Sequence, residues 1–291
     1  MTGKWSVWWL LVLLSGAAWP AGPTTWERVL AQPVSATGLT LAYGPLPDQF
    51  AELRLPAGDG PHPVVVMLHG GCWLPDFDLA HVRPLAEAIT ALGYATWNVE
   101  YRRPTENENG WPHTFLDAAA ALQALGDAAG EHALDLDRIT LLGHSAGGQL
   151  ALWLAARPGF EPDHPLFEPG ALPVERVLAL APITDMVAYA AQDQGCPAGA
   201  RRVLGGPPEQ WPQRYRAVSP LDNLPGRVGV ELVHARDDGI VPLAHSARLA
   251  QRLNAIGGQA RVHVLAPPAG HFDVLLTSGA AWQRLEALLL P

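Results

Sequence analysis

Apolar residues along the chain alternate between short strand-like runs and longer helix-like stretches. Residues 63–68 form a continuous, largely β-branched run, which predicts a strand buried on both faces. Further strands are predicted at residues 94–99, 139–142, 177–180, 228–234 and 261–265. Helices are predicted at residues 81–92, 114–129, 149–155, 244–256 and 282–290. Because strands alternate with helices, we expect an α/β fold with a mostly parallel, doubly wound sheet covered by helices on both faces.

Two segments depart from this alternation. Residues 39–43 and 51–55 show the period of two that is typical of half-buried strands, and the Gly- and Pro-containing turn between them predicts an edge hairpin. Residues 185–225 are rich in Gly, Pro and Gln. We interpret this stretch as a small cap-like excursion over the sheet, and we expect residues 38–291 to form one domain.

The first 18 residues have the pattern of a secretory signal peptide. Lys4 supplies positive charge, residues 7–14 are almost wholly apolar, and small residues follow at 15–18. We expect cleavage after Ala18, export to the periplasm or the extracellular space, and no stable membrane span in the mature chain. An uncleaved anchor is the alternative, although the apolar run is shorter than the roughly 20 residues that span a bilayer. Residues 19–37 then form an N-terminal lead-in.

Composition narrows the chemistry further. The 291 residues are 48% hydrophobic and 16% charged, which is compatible with a sizeable core and not with global disorder. Lys4 is the only lysine, so Schiff-base, P-loop and Ser-x-x-Lys chemistries have no lysine to use in the body of the chain. The formal net charge of −9, without a basic run, argues against nucleic acid as a partner.

The only two cysteines are Cys72 and Cys196. They lie far apart and without metal-ligand spacing, so we expect neither a metal site nor a cofactor. An even number of cysteines in an exported chain permits a Cys72–Cys196 disulfide. Two unrelated buried thiols are the alternative interpretation.

Residues 143–147 read Gly-His-Ser-Ala-Gly, between a predicted strand and a predicted helix. G-x-S-x-G in this context is the pattern of a nucleophile elbow, in which a tight turn presents the serine hydroxyl. The two glycines remove Cβ atoms that would obstruct such a turn. Ser145 is therefore the candidate nucleophile, and a glycine-rich connection with an incidental serine is the alternative.

A serine nucleophile needs a base, and the base needs an acid that orients it. Asp237 and Asp238 follow the predicted strand 228–234, and His271 follows the strand 261–265. The order serine, acid, histidine is the order of α/β-hydrolases, and each residue lies after a strand, where open α/β sheets place their sites. Three other histidines are rivals for the base but lie in the wrong order or inside predicted elements: His234, His245 and His263.

A fourth motif, His69-Gly70-Gly71-Cys72-Trp73, follows the strand 63–68 directly. An H-G-G loop in this position supplies backbone N–H donors for an oxyanion in esterases and lipases. A plain turn after the strand is the alternative.

Together these motifs resemble the α/β-hydrolases of the esterase/lipase group, and most of all the kynurenine-formamidase-like branch with H-G-G-x-W. The similar stretches run from about residue 69 to residue 272, which is most of the mature chain. The resemblance implies an α/β-hydrolase fold, and its D-x-x-V-P pattern selects Asp238 as the acid. It also implies that the N–H groups of Gly71, Cys72 and Ala146 form the oxyanion hole.

These observations favour a serine hydrolase that cleaves a carboxylic ester through an acyl-enzyme, with Ser145, His271 and Asp238 as the triad. The expected partner is a small ester or amide. An arylformamidase-type amide hydrolase or a small peptidase is the alternative within enzymes, and a non-catalytic binding protein on a hydrolase scaffold is the alternative outside them. We expect residues 73–80, 104–113 and 185–225 to shape the substrate pocket. The sequence does not indicate the oligomeric state.

Overall fold

The computed structural model describes residues 22–290, so the predicted signal peptide and the start of the lead-in lie outside the described residues. Eight strands form one sheet in the order β1-β2-β4-β3-β5-β6-β7-β8. Their bounds are β1 Leu39–Ala42, β2 Phe50–Arg54, β3 His62–Leu68, β4 Ala95–Val99, β5 Leu134–His144, β6 Arg176–Leu180, β7 Gly229–Ala235 and β8 Gln259–Leu265. The pairs β1–β2 and β2–β4 are antiparallel and the other pairs are parallel, which confirms the predicted fold class.

Nine α-helices connect and cover these strands in the part of the chain from 22 to 290. They are α1 Trp26–Leu30, α2 Arg83–Ala91, α3 His113–His132, α4 Ala146–Ala156, α5 Met186–Ala191, α6 Pro197–Leu204, α7 Pro212–Val218, α8 Ala244–Ala255 and α9 Gly279–Leu289. None of the helices within this range is long and apolar enough to cross a membrane. The predicted edge hairpin is confirmed as the antiparallel pair β1–β2.

The core lies on both faces of the sheet, as the continuous apolar runs predict. Alternate residues of β3 belong to different layers: Val64 and Val66 face the layer that contains Trp97, whereas Val65 and Met67 face the opposite layer. Helix α4 is buried along its whole length, and this explains why its sequence is apolar all round rather than on one face. The elements that carry the candidate site are therefore held from both sides.

Strand β5 is longer than its apolar pattern predicts. The prediction covered residues 139–142, but the strand extends back to Leu134. The register between β3 and β5 shifts between Pro63 and Val64, so the first residues of β5 pair as a separate short extension. Exposed Asp137 and Arg138 lie between this extension and the rest of β5, so the apolar pattern does not continue back to Leu134.

Residues 185–225 contain three short helices, α5, α6 and α7, separated by turns. Helix α5 packs against both of the others, and α7 also packs on α4. The segment thus lies over the carboxyl side of the parallel strands, next to the loops that follow β3, β5 and β7. The fold brings together the loops that carry all the candidate functional residues.

Candidate active site

Ser145 lies at the sharp turn between β5 and α4, with φ 55° and ψ −116°. A positive φ is unusual for a residue other than glycine and is a common form of strain at functional sites. A Cβ at position 147 would lie 2.0 Å from the carbonyl oxygen of Leu68, and one at position 143 would lie 2.1 Å from that of Gly147. The glycines of the motif are therefore required by close backbone approach, and the turn is held by a 2.8 Å hydrogen bond from Ser145 N to Leu180 O.

Asp238 lies in the loop after β7 and its side chain is completely buried. Its Oδ1 accepts hydrogen bonds from the backbone N–H groups of Ile240, at 2.8 Å, and Val241, at 2.9 Å. Its Oδ2 lies 2.7 Å from Nδ1 of His271. Burial alone would raise the pKa of Asp238, but the hydrogen bonds from His234, His271 and the backbone hold it well below its usual range.

The structure brings Asp238, and not Asp237, to the candidate base. Asp237 is exposed, and within residues 22–290 its carboxylate takes part in no hydrogen bond or ion pair. Chain order alone left both carboxylates as candidates and the D-x-x-V-P resemblance favoured Asp238. Adjacent residues of one loop point in different directions, so their contacts depend on the folded turn.

His271 follows β8 and is only 6% exposed. Its carbonyl oxygen lies 3.1 Å from Nε2 of His144, and the rings of the two histidines are 4.6 Å apart. This contact places His271 beside the residue that precedes Ser145. No hydrogen bond joins the Ser145 hydroxyl to His271 in the described part of the chain, and such bonds often tighten only when substrate binds.

The loop after β3 has three consecutive residues with positive φ: Gly71 at 101°, Cys72 at 57° and Trp73 at 56°. The backbone N–H groups of Gly71, Cys72 and Ala146 have no hydrogen-bond acceptor among residues 22–290. For Ala146 this follows from its place in the first turn of α4, where N–H groups lack partners within the helix. Three unpaired donors near the serine are what an oxyanion requires.

The loop after β3 packs on buried polar and aromatic side chains. The ring of His69 is fully buried and stacks on Tyr101 at 4.2 Å, while the Tyr101 hydroxyl donates a 2.7 Å hydrogen bond to His69 O. Glu100 lies 3.1 Å from His69 Nε2 and also pairs with Arg103. Burial would raise the pKa of Glu100, but its partners His69 and Arg103 lower it to about 2. The carboxylate is therefore an ionised anchor for the loop.

A disulfide joins Cys72 to Cys196, with Cα atoms 6.1 Å apart. The bridge ties the loop after β3 to the segment 185–225 just before α6. Gly199 of α6 lies so close that a Cβ there would be 2.5 Å from Cys72 O. The Tyr189 hydroxyl accepts a 3.1 Å hydrogen bond from Cys196 N on the other side of the bridge. The left-handed conformation of Cys72 is thus held by covalent and van der Waals contacts.

We expect the double substitution Cys72→Ser with Cys196→Ser to lower the free energy of unfolding by about 2–4 kcal/mol, with about 4–5 kcal/mol as the chain-entropy limit for so long a loop. The bridge spans 124 residues of sequence, so its loss frees a large part of the unfolded chain. Urea titration of the variant beside the oxidised and reduced parent checks this. Free alkylation of both thiols without reductant, or unchanged stability, would contradict it.

The rival histidines have other partners. His263 pairs with Glu231 at 2.6 Å across β7 and β8, and His245 accepts a 3.2 Å hydrogen bond from Thr184 N. His234 lies next to the loop 237–241 that carries Asp238, which we call the acid loop. Its Nδ1 is 2.7 Å from Ser246 Oγ. Sequence order had set His234 aside as a base, and no pattern in the sequence showed that it contacts Asp238.

The tryptophans of the expected pocket segments differ in their surroundings. Trp73 is fully buried in the core. Trp111 and Trp211 are half-buried around the Arg214 guanidinium, which lies 5.7 Å and 3.7 Å from their ring centroids. At least part of their role is therefore to join α7 to the segment before α3 through cation–π contacts. Residues 22–290 hold no group of three or more side chains suited to bind a metal ion.

Comparisons with known proteins match most of this chain. The model of the BD-FAE family matches residues 52–253. The probable carboxylic ester hydrolase LipM of Mycobacterium tuberculosis is 28% identical over 230 residues, which cover 76% of this chain and 52% of LipM. Esterase LipC of the same organism is 24% identical over 245 residues, covering 80% and 59%. The chain thus spans about half the length of these curated relatives.

Solved structures share the fold. A truncated carbohydrate esterase from gut microbiota aligns with a TM-score of 0.74 at 16% identity, over 92% of this chain and 98% of that one. Esterase Est2 from the Planctomycetes species Thermogutta terrifontis aligns with a TM-score of 0.69 at 21% identity, over 86% and 89%. At these identities the similarity establishes the α/β-hydrolase architecture and leaves substrates open.

Proposed function

Since the chain belongs to the BD-FAE family, we propose that it is a serine hydrolase that cleaves carboxylic esters through an acyl-enzyme. The observation that carries the proposal is the 2.7 Å contact between Asp238 Oδ2 and His271 Nδ1, at the strand ends that also present Ser145. A carboxylate that fixes Nδ1 leaves Nε2 of the same ring free to accept a proton. The names of the curated relatives LipM and LipC, both ester hydrolases, support the same reaction.

In the proposed reaction, Ser145 Oγ attacks the carbonyl carbon of the ester while His271 Nε2 accepts the hydroxyl proton. The negative charge that develops on the carbonyl oxygen is stabilised by the N–H groups of Gly71, Cys72 and Ala146. Collapse of the tetrahedral intermediate breaks the bond to the alcohol, which takes the proton from His271. Water then attacks the acyl-enzyme by the same route and releases the carboxylic acid. Neither a metal ion nor a cofactor enters these steps.

The donors of this oxyanion hole are preorganised by the fold. The disulfide and the close contact of Gly199 fix Cys72 from the cap side, and the buried His69 fixes the start of the loop from the core side. Donors that need no reorganisation during the reaction are worth more than mobile ones, typically about 3–4 kcal/mol each in a shielded site. The geometry therefore supports catalysis over a purely binding role for the scaffold.

The test is to treat the purified protein with a fluorophosphonate probe and to measure its hydrolysis of p-nitrophenyl acetate, butyrate and octanoate. We expect covalent labelling at Ser145, located by peptide mass spectrometry, and turnover of at least one ester. N-formylkynurenine is included because the H-G-G-x-W motif leaves formamide hydrolysis as the finer alternative. Heat-denatured protein is the control. Absence of both labelling and turnover, or labelling at another serine, would contradict the proposal.

We further propose that the protein is exported. The charged and apolar pattern of residues 1–18 supports this, and so does the Cys72–Cys196 bridge, because disulfides persist mainly in oxidising compartments.

A further inference from the structure

The candidate acid has a second imidazole beside it. Nε2 of His234 lies 3.5 Å from Asp238 Oδ2, the same oxygen that contacts His271, and both side chains are completely buried. Because Oδ1 is already held by two backbone N–H groups, each oxygen of this carboxylate lies between two donor groups. The orientation of Asp238 is therefore determined from the side of His234 as well as from the side of His271.

The hydrogen bonds of His234 define its tautomer. Nε2 lies 2.8 Å from the carbonyl oxygen of Val241, and a carbonyl only accepts, so Nε2 carries a hydrogen. Nδ1 lies 2.7 Å from Ser246 Oγ and in the neutral ring accepts from that hydroxyl. The ring thus connects the end of β7, the loop 237–241 and the first turn of α8: its Nε2–H is donated to Val241 O, and Nε2 lies 3.5 Å from Asp238 Oδ2.

The surroundings leave Asp238 few other sources of stabilisation. Burial raises the pKa of Tyr189 to about 12 and lowers that of His245 to about 4, so both are neutral near pH 7. Burial also keeps the pKa of His144 far below its usual value. Among the charged groups of the described residues near this side of the site, Asp185 and Arg248 lie 4.0 Å from each other in a partly exposed pair, and Asp237 is exposed. The hydrogen bonds from His234, His271 and the backbone, together with the charge interaction with His271, therefore stabilise the carboxylate.

We propose that His234 is a positioning residue that holds the Asp238 carboxylate in the orientation that aligns His271. This inference rests on the proposed function. His234 does not touch the reacting atoms. It acts through the acid, by holding the loop 237–241 onto β7 through Val241 O and by placing Nε2 3.5 Å from the oxygen that His271 uses.

The test uses three variants at this network. His234→Leu removes both ring nitrogens, His234→Gln retains an amide donor near the place of Nε2, and Ser246→Ala removes the hydroxyl that orients the ring. With p-nitrophenyl acetate we expect His234→Leu to lower kcat about 10–100-fold while KM changes less than about twofold, because alignment and not binding is lost. We expect His234→Gln to recover most of this loss and Ser246→Ala to lie between the two.

The pH profile separates positioning from general damage. Without the N–H of His234, the negative charge on Asp238 is stabilised less by its surroundings. Asp238 therefore attracts the proton on His271 more strongly. The acidic limb of kcat/KM should therefore move to higher pH, by about half a unit, in His234→Leu. His263→Leu is the matched control, since His263 pairs with Glu231 on the neighbouring strand, and we expect its rate and profile to be those of the parent.

The outcomes distinguish this inference from the proposed function. If the parent hydrolyses the ester, Ser145→Ala does not, and His234→Leu keeps the parental kcat and profile, then only the role of His234 is overturned. If the parent has no esterase activity, the proposed function itself fails. Should His234→Leu not fold by circular dichroism, Ser246→Ala decides: a lower kcat with a shifted acidic limb supports the role, and a parental profile overturns it.

Discussion

Replacing Ser145 with alanine is expected to reduce kcat for p-nitrophenyl acetate by about four to six orders of magnitude, to the level that binding and the oxyanion donors alone sustain. The substitution removes only the hydroxyl oxygen from a turn that is otherwise held by the backbone bond to Leu180 O and by close contacts of Gly143 and Gly147. Stability should therefore change little, and the loss should appear in kcat.

The measurement is initial rates at saturating ester, together with fluorophosphonate labelling and a thermal unfolding curve. Ser278→Ala is a suitable control, because Ser278 is exposed and makes no side-chain capping bond at the start of α9. We expect the control to keep its rate and its labelling. A Ser145→Ala protein that is folded and still turns over the ester at the parental rate would show that another residue is the nucleophile.

The sequence predicted those features that local pattern determines. The run 63–68 specified a central strand because every residue in it is apolar, and Gly143 and Gly147 marked the elbow because the turn there excludes any Cβ. The start of β5 was missed, since Leu134 and Asp135 pair with β3 before a register shift and exposed polar residues such as Asp137 and Arg138 interrupt the apolar pattern. A hydrophobic pattern indicates which side chains are buried, so it does not reveal strand residues whose side chains are exposed.

Some contacts of the candidate site could not be predicted from local sequence pattern, for a different reason. The contact of His234 with Asp238 depends on how the loop 237–241 and the first turn of α8 both pack on the end of β7. The cation–π contact of Arg214 with Trp111 joins segments about a hundred residues apart, whereas Trp211 lies in the same segment as Arg214. Such contacts are tertiary and leave no periodicity in the sequence. The pairing of Cys72 with Cys196 was permitted by the cysteine count, but the alternative of two free thiols remained open until the loops were placed.

The choice between the adjacent carboxylates gives a prediction with an internal control. We expect Asp238→Asn to lower kcat by about 10⁴-fold, as in other triads in which the acid becomes an amide. Asp237→Asn should change kcat by less than about twofold, because Asp237 is exposed and takes no part in the hydrogen bonds of the site within residues 22–290. Both changes remove one charge from neighbouring positions, so a long-range electrostatic effect would appear in both variants alike.

The size of the Asp238→Asn effect follows from how the loop holds the side chain. The backbone N–H groups of Ile240 and Val241 require an acceptor at the position of Oδ1, so the asparagine oxygen takes that place and its NH₂ group faces His271. A donor now opposes Nδ1–H, and the imidazole adopts the tautomer that carries its proton on Nε2. Nε2 then has no lone pair with which to accept the proton of Ser145.

Rates measured from pH 6 to pH 10 test this, since partial recovery at high pH is expected only where hydroxide replaces the base. Parental activity in Asp238→Asn, or a larger loss in Asp237→Asn, would show that Asp238 is not the acid. The tautomer of His271 on which the proposed proton transfer depends would then be wrong as well.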